Sequence, residues 1–336
     1  MKILYVGHYN EGSTSKMRGQ YLQKILQPKS FKVANIDVPM NATNKVFRTI
    51  GWRYKKGPLI SNINNYIIKI IESDWKYDLV WIDKGVFINP TTIKKLKANS
   101  STLIHFTPDP AFFYHQSNLF YQSLSLYDYC ITSKSFEIKS YEEFGVKTIF
   151  CTQGFDPIIH KPYHKFDEKK GVVFIGHREE SREQIIANLI ESNIPVTLAG
   201  IKWKKFIDKY RKNKHLNFKG DGLFGVEYAK EISGSLIGLG LLSKWIPELH
   251  TTRTFEIPAC GTALLTEKNS DTSQFFNDEE CLFYNESNDI VAIVKEKLAD
   301  KEYLQTVSIK GHQKIINSRK NYFHILEDIL LQINLK

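Results

Sequence analysis

The chain has only four cysteines in 336 residues, Cys130, Cys151, Cys260 and Cys281, and no C-x-x-C pair among them. That spacing excludes a disulfide framework and a zinc knuckle and leaves reduced thiols as the plain expectation. No run approaches the ~20 apolar residues of a membrane span. The opening MKILYVGHYN reads as a strand and lacks the charged start, apolar stretch and cleavage site of a secretory signal, so a cytoplasmic location is expected. There is no D-x-D metal motif, because Asp109 is followed by Pro110 and Ala111. The loop GHYNEGST has glycines at Gly7 and Gly12 but no lysine to reach terminal phosphates, which disfavours a P-loop NTPase.

Hydrophobic content of 42% with 24% charge is that of a globular protein. The length of 336 residues exceeds one compact core and suits two domains. The formal charge of +10 is unevenly placed, with 20 Lys and Arg against 11 Asp and Glu in residues 1–155 and 26 against 25 in the rest. An anionic partner for the first half follows, either a membrane surface or a phosphate-bearing acceptor. No nucleic-acid motif accompanies the charge, so nucleic acid is not expected. The segment Lys45–Lys56 mixes five cations with Phe47, Trp52 and Tyr54, and reads either as a lipid-headgroup contact or as a solvated loop.

Short apolar runs alternate with helical patterns. Strands are predicted at Ile3–Gly7, Phe31–Val38, Asp78–Ile82, Thr102–Phe106, Tyr129–Thr132 and Thr148–Cys151, then at Val172–Ile175, Pro195–Ala199, Leu216–Lys219, Ile237–Leu242, Ala263–Thr266 and Leu282–Tyr284. Intervening helices make this an α/β chain with two Rossmann-like, doubly wound domains. The expected division is 1–155, 156–316, and a C-terminal helix over 317–336 that crosses back to the first domain.

The most informative segment is PELHTTRTFEIPACGTALLTE, Pro247–Glu267, which sets Glu248 and Glu256 eight residues apart across a helix start. Thr251 and Thr252 are good N-cap residues for a helix through Arg253, Phe255 and Glu256. Such a terminus favours a pyrophosphate, and a carboxylate one turn further in can accept from the paired hydroxyls of a ribose. Glu248, on the preceding loop, would reach the sugar. Gly176 sits where a strand should turn into a helix, which lets backbone approach a phosphate closely. His105, Asp109 and His115 fall at or after a strand end, where open α/β sheets hold ligands, and the two histidines are either acceptor contacts or plainly packed. Gly12, with Ser13 and Thr14, lies either near donor phosphates or in an ordinary turn and N-cap.

Glu248-x7-Glu256 followed by IPACGTALLTE resembles the E-x7-E glycosyltransferases of the GT-B fold, and Arg253 through Thr262 is most similar to their CgeB-like branch. QGFDPIIHKPY (Gln153–Tyr163) is similar to the segment entering the donor domain of that family, and VVFIGHREESREQ (Val172–Gln184) to that domain's first strand-loop-helix. Four motifs in the right order are hard to obtain by chance. The resemblance implies GT-B architecture with two domains facing across a cleft, and sugar transfer from a nucleoside-diphosphate donor to a glycan or lipid-linked acceptor in envelope polysaccharide assembly. It further implies retention of configuration and no metal or other cofactor, while the basic first half allows a peripheral place on the inner membrane face. By the same resemblance Glu256, Arg253, Thr252, Gly176 and Gly12 serve the donor, and Arg178 neutralises the leaving diphosphate. Arg182 either joins Arg178 or pairs with Glu179 or Glu183. Glu248 and Asp109 take catalytic or sugar-binding roles, and the nucleotide base meets backbone near Ala199–Gly200 and Gly220–Phe224. Rival readings are a non-hydrolysing sugar-nucleotide epimerase, which shares the fold, and a non-catalytic nucleotide-sugar-binding partner.

Overall fold

All twelve runs expected as strands form strands. The computed structural model describes residues 1–73, 76–113 and 116–336, and these divide into Met1–Thr152 with Ile325–Lys336, and Gln153–His324.

In the first unit the chain runs β1 (Lys2–Gly7), α1 (Thr14–Leu26), β2 (Ser30–Asn35), α2 (Asp37–Ala42), α3 (Lys45–Tyr54), α4 (Pro58–Glu72) and β3 (Tyr77–Asp83). It continues through α5 (Pro90–Ala98), β4 (Ser100–Thr107), α6 (Asn118–Tyr121), β5 (Tyr129–Thr132), α7 (Ile138–Glu143) and β6 (Thr148–Phe150). The strands pair in parallel in the order β2-β1-β3-β4-β5-β6. Five of the six residues of β1 are buried, as an apolar run covered on both faces of a parallel sheet requires.

The second unit runs β7 (Val172–Ile175), α8 (Glu180–Glu191), β8 (Val196–Ala199), α9 (Lys204–Tyr210), β9 (Leu216–Phe218), α10 (Gly225–Ser233), β10 (Ile237–Gly240), α11 (Arg253–Ala259) and β11 (Ala263–Glu267). After α12 (Thr272–Phe275), β12 (Leu282–Tyr284), α13 (Ile290–Ala299) and α14 (Lys301–Ile316), the last helix, α15 (Tyr322–Gln332), begins in this unit and ends in the first. The order β12-β11-β10-β7-β8-β9 is again all parallel.

Two local departures from the sequence reading have clear causes. The strand expected to reach Val38 stops at Asn35, whose side-chain oxygen accepts the Asp37 amide at 3.1 Å and turns the chain into α2. Lys45–Tyr54 is a helix rather than a loop. Asn44 caps it through the Val46 amide at 2.9 Å, and Lys55 ends it in the left-handed region.

Candidate functional site

Strand order defines where each unit can hold a ligand. In the second sheet β7 lies between β8 and β10, so the connections from β7 and β10 leave on opposite faces and a crevice opens at their carboxyl ends. Arg253 occupies that position. Its Nη1 and Nη2 donate to the carbonyls of Ile175, at the end of β7, and Leu241, just beyond β10, both at 3.4 Å. Arg182 Nη2 reaches the same Leu241 carbonyl at 3.3 Å, and the two guanidinium groups lie 5.6 and 5.8 Å from the ring centre of buried Phe174.

The two arginines differ in how fully the protein satisfies them. Arg182 is buried and pairs with buried Glu179 at 2.9 Å. Burial and the neighbouring Arg253 charge push its guanidinium down to about 10. Arg253 is half-buried and has no carboxylate partner among the described residues. A half-buried cation with only long carbonyl contacts is the group an incoming anion would complete.

Glu179, expected from the sequence only as an alternative partner for Arg182, organises this corner. Besides Arg182, its carboxylate takes His177 Nε2 at 2.9 Å and the Lys244 amide at 3.1 Å. Burial, followed by the Arg182 charge, lowers the affinity of His177 for a proton. Arg178 instead forms an ion pair with Glu183. Of the basic residues after Gly176, Arg182 is the one carried into the crevice.

The Gly176 amide is not available to a phosphate, because it donates to Ala199 at 2.9 Å as the ladder between β7 and β8 continues. What the glycine provides is room: a Cβ there would lie 2.9 Å from the Phe174 ring and 3.5 Å from Arg253 Nη1. Gly200 has φ +140°, and a Cβ on it would come within 2.0 Å of the Gly176 carbonyl oxygen, so only glycine fits.

Glu256 stands three residues after Arg253, on the same face of α11. It is 8% exposed, and Tyr228 donates its phenol proton to Oε2 at 2.5 Å. Burial, then the Glu256 charge, holds Tyr228 firmly protonated. His160 Nδ1 accepts the Asp156 amide at 2.9 Å, which leaves its Nε2 as the protonated nitrogen, 3.8 Å from Glu256 Oε1. Neither Tyr228 nor His160 was legible as a partner from spacing.

Thr252 does not cap α11 through its side chain. Its backbone is already helical (φ −57°, ψ −38°), and the local side-chain bond runs from the Thr251 amide to Thr254 Oγ1 at 3.1 Å. Glu248 is half-buried on the preceding loop, where its carboxylate accepts the Ser243 amide at 2.9 Å and its charge acts on Arg182. The loop is tied down by His250, buried, with Nδ1 2.7 Å from Asp271 and Nε2 accepting the Gln153 amide at 3.2 Å.

In the first unit the order reverses between β1 and β3. A cavity at their carboxyl ends is lined by Gly7, His8, Trp52, Lys55, Lys84 and Asp109, among others. Its floor is rigid: Arg18 grips Asp83 in a bidentate ion pair at 2.7 and 3.0 Å, Tyr5 donates to the same carboxylate at 2.9 Å, and all three are buried. Lys84, at φ +71°, forms an ion pair with Asp109 at 2.6 Å. Lys55 sits 4.7 Å from the Phe87 ring, and its half-burial lowers its proton affinity.

His105 is not an acceptor contact. It is fully buried, packs 4.4 Å from Phe120 ring to ring, and hydrogen-bonds the Lys84 carbonyl at 3.1 Å; burial pushes it down to about 4. Gly12 is exposed in a turn (φ +77°), and Ser13 caps α1 through the Lys16 amide. His115 lies outside the described residues. Among the described residues, no three His, Cys, Asp or Glu side chains gather as a metal site.

Comparison with known structures defines the fold. HepE of Anabaena, crystallised with UDP, superposes with a TM-score of 0.68 at 14% identity, covering 99% of this chain and 100% of that one. Sucrose-phosphate synthase from Thermosynechococcus elongatus gives 0.66 at 12% identity with 99% of both chains covered. UDP-GlcNAc 2-epimerase from Neisseria meningitidis gives 0.58 at 13% identity, covering 99% and 100%. No curated protein matches the sequence. The fold is GT-B, two Rossmann-like domains each with a parallel sheet. Residues 178–331 match the glycosyl transferase-like family model, a match that together with the fold supports a glycosyltransferase.

Proposed function

We propose that the protein moves a sugar from a nucleoside-diphosphate donor, with retention of configuration and without a metal, to a glycan or lipid-linked acceptor in envelope polysaccharide assembly. The observation that carries this reading is the presence of Arg253 and Glu256, one turn apart, on one helix face at the switch point of the second sheet. A guanidinium without a carboxylate suits a diphosphate. A carboxylate one turn further along, oriented by Tyr228, suits the two hydroxyls of a ribose.

In this reading the bond between the anomeric carbon and the diphosphate oxygen breaks as the acceptor oxygen bonds to that carbon on the same face. The acceptor's proton passes to the released diphosphate. Arg253 and Arg182 stabilise the departing charge, which is the work a metal does elsewhere. Glu248 contacts the donor sugar. The crevice of the first unit, with Trp52 for stacking and Asp109 for hydrogen bonds, takes the acceptor.

UDP-glucose is the first donor to test, since HepE structures hold UDP and UDP-glucose. A thermal-shift screen over UDP-, GDP-, CMP- and TDP-sugars should single out one base, because a ligand that binds only the folded state raises its stability. Absence of a shift with every nucleotide sugar would overturn the donor site. Likeness to the epimerase is one of fold, and an incubation without acceptor separates the two activities: a new sugar nucleotide would mark the epimerase.

A further inference from the structure

Helix α3 is attached to its unit through Gly51 and through Trp52, whose ring centre lies 5.0 Å from that of buried Phe87. Gly51 is its only buried residue, and a Cβ there would stand 2.5 Å from Leu59 Cβ at the start of α4. The apolar side chains of the helix are therefore left outside the core. Val46 is 63% exposed, Phe47 48%, Ile50 42% and Tyr54 59%. At 100° per residue these four fall within an arc of about 100°, a single exposed stripe centred about 90° round the helix from Gly51. Around the stripe stand Lys45, Arg53 and Lys56, all exposed. Between Asp37 and Glu72 the sequence has no acidic residue.

We infer that α3 is a docking helix for an anionic lipid bilayer, its stripe entering the headgroup boundary and its cations meeting lipid phosphates. Charge decides the occupant. A second copy seated stripe to stripe would bring the Arg53 and Lys56 cations of both chains together, whereas an acidic headgroup layer complements them and the +9 of residues 1–155. The inference is independent of the donor reading, because none of these residues belongs to the second unit.

The test is co-sedimentation of the full chain with vesicles of phosphatidylcholine alone or with 30 mol% phosphatidylglycerol added. Binding is expected only with the acidic lipid and should weaken as salt shortens the Debye length below about 10 Å. Arg53→Ser with Lys56→Ser should lower the partition coefficient roughly 25-fold, at about fivefold per cation. Phe47→Ser with Ile50→Ser should abolish binding that the cations alone cannot hold. Both pairs are surface changes, and an unaltered melting temperature and nucleotide affinity confirm that the variants are folded. Equal sedimentation of parent and both variants, or a dimer that the Phe47→Ser, Ile50→Ser variant disperses without any vesicle binding by the parent, would overturn the inference.

Discussion

Arg182 and Arg253, 71 positions apart in sequence, share one acceptor, the carbonyl of Leu241, at 3.3 and 3.4 Å. Two like charges this close persist because they are anchored differently: Glu179 neutralises Arg182, and the ring of Phe174 faces both. A diphosphate would neutralise the remaining charge. Arg253→Ala should therefore weaken donor binding by about 10- to 100-fold, at roughly 1.5–3 kcal/mol for hydrogen bonds to a charged group. Arg253→Lys should recover only part of this, because an ammonium cannot bridge two oxygens as a fork does. Calorimetry with the best nucleotide checks both, and full affinity in Arg253→Ala would remove this residue from the site.

Glu256→Gln should also weaken the nucleotide, again by about 10- to 100-fold, while binding of inorganic pyrophosphate is unchanged because the ribose alone is affected. Tyr228→Phe should produce a smaller loss in the same direction, since it removes the bond that orients Glu256. Equal losses for pyrophosphate and nucleotide would reassign Glu256 to the phosphates.

Activity should survive a chelator. With Arg253 and Arg182 supplying the positive charge, EDTA should leave turnover within about twofold of the untreated enzyme. Turnover abolished by EDTA and restored by magnesium or manganese would count against this mechanism.

Removing Arg18 tests the floor of the first crevice. Arg18→Ala leaves Asp83 buried with its charge unmatched, which typically costs about 3–5 kcal/mol. Chemical denaturation should show this as a loss of stability in the first unit, with Asp83→Asn, Arg18→Met recovering much of it. A loss under about 1 kcal/mol would mean that water reaches the carboxylate.

His105 supplies a pH dependence. Burial holds its folded value at about 4, below the ordinary 6.5, so the unfolded chain binds a proton that the folded one refuses. Stability from this group is complete above pH 6.5 and falls as pH drops from there towards 4, by up to about 3 kcal/mol. His105→Gln should flatten the curve in that window. An unchanged slope would assign the acid sensitivity to other groups.

Much of the architecture was legible because parallel strands buried on both faces must be short continuous apolar runs. Val172–Ile175 and Leu282–Tyr284 were bounded to the residue on that ground alone. The helix over Lys45–Tyr54 was missed because its apolar stripe is exposed and its only buried residue is a glycine, so it carries little core-facing signal.

What the sequence determined by itself was local: twelve strands, the order of the motifs, and the placing of Arg253 and Glu256 one helical turn apart. Tertiary structure decided the partners. Arg182 rather than Arg178 reaches the crevice because α8 turns it towards Glu179 and Leu241, and Glu256 meets Tyr228 from 28 positions away. Asp83 meets Arg18 across 65 positions, and His105, near a strand end where the sequence allowed either a ligand contact or a packed histidine, is sealed beneath Phe120. Spacing along the chain encodes which side chains share a face of one element. Which faces then meet depends on strand order and on what each side chain loses by leaving water, and both are properties of the folded sheet rather than of any segment.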